Sequence, residues 1–179
     1  MKPFKIYLTE IFDSPVPVKW NSLKTNRIDW KAKTELPDKS KLVIEIDARQ
    51  EFNGTYEDGT TNSHYVGFYR TVKGKQLGGL SRFDKTNMGN ASQVFATVIA
   101  AIEDHIKRQA PDRIVFSANK EDGDTGHISS RERLYDRMTK KFAANIGWKV
   151  NKVRKSGGTH YHVYNPKKDH GKIKKSLFD

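Results

Sequence analysis

An α/β (α+β) fold, with a mixed, mainly antiparallel sheet and two main helices, is predicted by three observations. In "KLVIEID", Leu42, Ile44 and Ile46 alternate with Val43, Glu45 and Asp47, the period of a strand with one buried face. Val94, Phe95, Val98, Ile99, Ile102 and Ile106, and later Leu134, Met138 and Phe142, recur at three- and four-residue spacing, as amphipathic helices require. Between these segments stands "DRIVFSA", a short apolar run suited to a buried strand.

Taken in order, "FKIYLTEIF" has strand composition, and the stretch from Asp13 to Ser40 mixes Pro, Asn, Ser and charges with Trp20 and Trp30. It is expected as loop with short helical turns. The strand of residues 41–47 is followed by the turn signals Gly54, Asp58 and Gly59, then by "HYVGFYRTV" as a returning antiparallel strand and "KQLGGLSRF" as a third, weaker one. The first helix opens at Ala91 and must stop before Pro111. With the strand after it, the order is that of a crossover unit with parallel pairing. The polar loop "NKEDGDTGHISS" leads to a second helix over residues 131–146, capped by Ser129 or Ser130 and stopped by Gly147. "KVNKVRK" and "GGTHYHVYN" form a final hairpin turned by Gly157-Gly158. A single domain over residues 1–166 and a basic tail over 167–179 are expected.

The chain has 179 residues and no cysteine, which removes disulfides, thiolate nucleophiles and Cys-based zinc sites. No run approaches the roughly 18–20 apolar residues of a membrane span, and the start "MKPFKIYLTEIF" is too short and too polar for a signal segment. A cytoplasmic protein without a membrane partner is expected. The formal net charge is +12, and residues 149–179 hold nine Lys/Arg against two Asp, a net of +7. Such an imbalance favours polyanionic partners.

The order of three antiparallel strands, a helix opening on a Gly/Ala turn, a strand, a second helix and a hairpin resembles the GNAT superfamily of acyl-CoA-dependent N-acyltransferases. The resemblance covers roughly residues 41–165. Its first motif is "TNMGNA", which is similar to the family's pyrophosphate loop, Gln/Arg-x-x-Gly-x-Gly/Ala, in Gly89 and Ala91, with Thr86 where Gln or Arg stands in the family. Small residues before a helix let backbone N–H groups approach a pyrophosphate. The resemblance implies that Asn87, Met88, Gly89, Asn90, Ala91 and Ser92 bind acetyl-CoA or another acyl-CoA. As a plain reading of the residues, Asn90 or Ser92 caps the helix and Gly89 permits a turn. The second motif is "HISSRERLY", whose Tyr135 resembles the family tyrosine that protonates the departing CoA thiolate. "KQLGGLSRF" carries no carboxylate where the family commonly has a general base, which leaves Glu45, Glu51, His64 or an ordered water for that role. The segment from Pro111 to Val150 also resembles bacteriophage-encoded proteins.

A second function follows from the charge: a non-catalytic basic protein that binds nucleic acid or an acidic host protein. Arg133, Arg137 and Lys140 share one helix side, and Lys152, Arg154, Lys155, Lys167 and Lys168 extend the cationic set toward the tail. His160 and His162 share a strand face at the spacing of two metal ligands, with no third ligand in view, so no metal site is assigned. No phosphate-binding Gly-Lys-Ser/Thr loop and no paired-carboxylate motif occurs.

Overall fold

Where loop and helical turns were expected, the N-terminal part folds as a hairpin of β1 (Lys19–Thr25) and β2 (Ile28–Glu35), paired antiparallel with Trp20 opposite Ala32 and Ser22 opposite Trp30. The computed structural model describes residues 15–25, 28–48, 62–72, 75–76, 91–119, 130–155 and 158–168. The remaining elements are β3 (Lys41–Asp47), β4 (Ser63–Val72), β5 (Lys75–Gln76), α1 (Ala91–Gln109), β6 (Arg113–Asn119), α2 (Ser130–Ile146), β7 (Lys149–Lys155) and β8 (Gly158–Tyr164). Seven strands follow the order β1-β2-β3-β4-β6-β8-β7, with β5 pairing β4 off that path. The fold is α+β, a mixed and mostly antiparallel sheet with two helices among the described residues.

Two compact units divide the chain. One lies within Met1–Glu45 and Gly67–Ala110, the other within Ile46–Val66 and Pro111–Asp179.

In the first unit, the tryptophans explain the unforeseen hairpin. The buried ring of His105 on α1 stands 5.6 Å from Trp20 and 4.8 Å edge-on from Trp30, and the Trp20 indole donates to Asp104 at 3.0 Å. A sequence with weak strand propensity is thus held extended by the area its two indoles cover. The turn from Leu36 to Ser40 joins β2 to β3: the Lys39 amide donates to the Leu36 carbonyl at 2.9 Å and the Leu36 amide to that of Ser40 at 2.8 Å. The alternation of β3 is only partial, because Val43 is buried along with Leu42 and Ile44. On α1, Val94, Phe95, Val98 and Ile102 are buried as their spacing requires, and Phe95 meets Phe68 of β4 edge-on at 5.7 Å.

In the second unit, β4 and β6 run parallel from Ser63 opposite Arg113 to Val66 opposite Phe116. The expected crossover is therefore present, but its first strand is β4 and not "KQLGGLSRF". Of that segment only Lys75 and Gln76 are described, as β5, and the rest lies outside the described residues. Strand β8 lies between β6 and β7, antiparallel to both. Helix α2 covers the face that bears Phe116, whose ring meets Phe142 edge-on at 6.4 Å. Met138, Phe142, Tyr161 and Val163 complete that core.

The two helices end differently. After α2, Gly147 adopts φ 69°, its amide donating to Ala144 at 3.3 Å and that of Trp148 to Ala143 at 2.8 Å, the two bonds of a Schellman stop. After α1 the same left-handed position, φ 47°, is held by Ala110, whose amide donates to Ile106 at 2.9 Å just before Pro111. A Cβ is disfavoured in that conformation. Ala110→Gly should raise stability by about 0.5–1 kcal/mol, whereas Gly147→Ala should lower it by about 1 kcal/mol. Urea denaturation of the two variants checks the opposite signs.

Candidate functional site

Helix α2 and the β7–β8 hairpin hold the only sequence-predicted catalytic residue, Tyr135, together with six of the eight predicted cations, of which Lys152 and Arg154 face it. Glu132, Tyr135, Asp136 and Thr139 recur at i, i+3, i+4 and i+7 and so share one helix side. Strand alternation brings Lys152 and Arg154 of β7, and Thr159 and Tyr161 of β8, to meet them.

One carboxylate oxygen of Glu132 accepts from Lys152 at 2.8 Å, from Arg154 at 3.0 and 3.1 Å and from the Thr159 hydroxyl at 3.3 Å. The Lys152 ammonium also donates to both oxygens of Asp136, at 2.8 and 3.0 Å, and stands 5.5 Å over the Tyr161 ring. The Tyr161 hydroxyl donates to the Glu132 carbonyl at 3.1 Å, and the Tyr135 ring stacks on that of Tyr161 with centroids 5.9 Å apart. Tyr135 is itself 5% exposed, and its carbonyl accepts the Thr139 hydroxyl at 2.8 Å.

The protonation states follow from these partners. Hydrogen bonding from Lys152 holds the Glu132 carboxyl below its ordinary value against the opposing effect of burial. At Asp136 burial pushes upward, but the bonds from Lys152 and Tyr161 outweigh it and the carboxyl is also held low. Lys152 is lowered by burial and raised more by the two carboxylates, with a net upward shift. Burial, then Asp136, pushes the Tyr161 phenol far up, so it stays protonated at neutral pH. The cluster is an ion-paired fastening of helix to hairpin around two stacked phenols.

The other predicted residues lie as follows. Asn87, Met88, Gly89 and Asn90 fall outside the described residues, and Ala91 and Ser92 begin α1. Arg133, Arg137 and Lys140 are exposed on α2 and form no ion pair among the described residues. Lys155 ends β7. Lys167 and Lys168 are exposed in the turn after β8, with Lys168 3.3 Å from Asp112. Among the positions named for a base, His64 is buried with Nε2 3.0 Å from Asn62 Oδ1, and Glu51 lies outside the described residues. Glu45 is bonded to Lys31 and accepts the Tyr69 hydroxyl at 3.1 Å. That carboxylate raises Lys31 against the effect of burial, and burial raises Tyr69.

On the face of β8 turned away from Tyr161, Ser117 Oγ and His160 Nδ1 stand 2.9 Å apart. Only the β6–β8 register, which sets these residues opposite each other, could have signalled the pair across 43 positions of sequence. His162 is buried on the same face. No group of three His, Cys, Asp or Glu able to hold a metal occurs among the described residues. No helix among them is long and apolar enough to cross a membrane. Comparison with protein-family models, with curated proteins and with solved structures returned no match.

Glu132→Gln should cost about 1.5–3 kcal/mol at neutral pH, the range for hydrogen bonds to a charged group. A carboxyl held low in the folded state adds stability above its unfolded pKa and loses it as pH falls through the folded value. The deficit should therefore shrink below about pH 4. Urea denaturation of both proteins at neutral and acid pH measures it.

Proposed function

We propose that the chain binds an acyl-CoA and transfers its acyl group to an amine, as a GNAT-like N-acyltransferase. The observation that carries this reading is the crossover: parallel β4 and β6 joined through α1, then α2 and the antiparallel β7–β8 hairpin. This succession is part of the order on which the family resemblance rests; of the third antiparallel strand in that order, only Lys75 and Gln76 are among the described residues.

The roles follow from the resemblance and from the chemistry of each residue. Backbone N–H groups from Asn87 to Ser92, where α1 opens, are assigned to the pyrophosphate, because a helix N-terminus offers unsatisfied donors and the positive end of its dipole. The amine nitrogen attacks the thioester carbonyl, the new C–N bond forms, the C–S bond breaks, and the surplus proton on nitrogen passes to solvent water. Tyr135 is assigned to give its phenolic proton to the departing thiolate. Its supports are its place early in α2, the helix that follows β6, and the Tyr161 ring that fixes its plane.

Titration calorimetry with acetyl-CoA, followed by free-thiol release in the presence of primary amines, tests the reading. Binding with saturable heat is expected, and Tyr135→Phe should leave the Kd for acetyl-CoA unchanged while lowering kcat about a hundredfold, the lower range for loss of a general acid. Absence of heat at millimolar acetyl-CoA would end the acyl-transfer reading. An unchanged kcat in the variant would remove Tyr135 from it.

A further inference from the structure

We infer that Ser117 is a nucleophilic hydroxyl with His160 as its general base, a reactive site that takes the acyl group of a small activated carboxylic ester. The pair lies within the second unit and does not rest on the acyl-CoA reading. Three observations carry it.

The first is reach. Ser117 Oγ stands 2.9 Å from His160 Nδ1, inside the roughly 2.6–3.2 Å that a nucleophile and its base require. With the ring proton on Nε2, Nδ1 accepts and the hydroxyl donates, which leaves both lone pairs of Oγ for an incoming carbonyl carbon.

The second is what holds the pair. Strands β6 and β8 stay in register from Arg113 opposite Tyr164 to Asn119 opposite Gly158, and Ser117 opposite His160 is an interior row of that ladder. Both backbones are therefore fixed on either side of the pair. The alignment exists before any substrate arrives, and alignment is a part of the barrier that positioning removes.

The third is exposure along one sheet face. In the neighbouring row, Val115 and His162 are 2% and 4% exposed, whereas Ser117 is exposed and His160 half-buried. The pair thus stands where a covered face opens to solvent. A buried hydroxyl needs a protein partner because water cannot reach it, but an exposed one does not. The bond at Ser117 is therefore no remedy for burial, and the oxygen that makes it is open to a reagent.

In the reaction, Oγ attacks the ester carbonyl carbon and the Oγ–C bond forms while the hydroxyl proton passes to Nδ1. The C–O bond to the activated leaving group breaks, that group departs as an anion, and the ring gives its proton to solvent.

The experiment treats the full chain with p-nitrophenyl acetate, follows nitrophenolate release and locates acetyl groups by peptide mass mapping. Ser117 should be acetylated about a hundredfold faster than any other Ser or Thr of the chain, the lower range for general-base assistance. Ser117→Ala should lose that adduct, and His160→Gln should slow it about a hundredfold while leaving lysine acetylation at the parent's rate. Circular dichroism checks the fold of both variants, and the comparison among hydroxyls of the parent decides the matter even where His160→Gln does not fold. No acetyl group on Ser117 would overturn the proposal. So would acetylation of Ser117 at the rate of the other hydroxyls, and so would equal rates in the parent and a folded His160→Gln.

Discussion

The register that sets Phe116, Tyr161 and Lys152 side by side across β6, β8 and β7 is the constraint on which the second unit depends. Alternation along a strand turns this decision about one row into a decision about both faces. It sends Thr159, Tyr161 and Val163 to α2 and leaves His160, His162 and Tyr164 on the opposite side. A slip of one residue would place an imidazole under α2 and a phenol beside Ser117. The apolar bulk of Tyr161, fully buried between Phe116 and the Lys152 stem, makes that slip costly.

The ionic layer is built on this row. Glu132 and Asp136 can receive Lys152 only because Lys152 stands opposite Tyr161 and therefore on the α2 face. With Lys152 28% and Glu132 13% exposed, this pairing is partly sheltered, whereas Arg154, 60% exposed, contributes less because water screens it. The same placement separates two chemistries. Tyr135 belongs to the stacked, fastened side of β8, and the Ser117–His160 pair belongs to the other.

Much of the fold was legible because its signals are local. Val94 to Ile106 and Leu134 to Phe142 state their helices through spacing alone, and Gly147 marks its stop through a backbone conformation that a side chain resists. The β7–β8 hairpin was legible from the two short strand-like runs flanking Gly157, although Gly158, expected in the turn, already belongs to β8 opposite Lys155. The β1–β2 hairpin was not, since Lys19, Asn21, Ser22, Lys31 and Lys33 give no clean alternation and its stability comes from Trp20 and Trp30 on a helix some 75–85 residues away in sequence, a separation fixed only by the tertiary fold. The cations Lys152 and Arg154 were visible as charges, but their consumption by Glu132 and Asp136 was not. A sequence shows which ions exist and only a register shows which are spent. The same holds for Ser117 and His160, which no local pattern connects.

Strand β7 ends the strand order among the described residues, and an end strand is a template onto which another extended chain can pair. Lys149, Lys152 and Arg154 recur along it at exposed positions. Two copies of this chain meeting edge to edge through β7 would have to strip water from the long, ion-paired side chains of Lys152 and Arg154, which opposes pairing. The residues that bind the hairpin to its helix thus also keep one molecule's sheet from growing into the next.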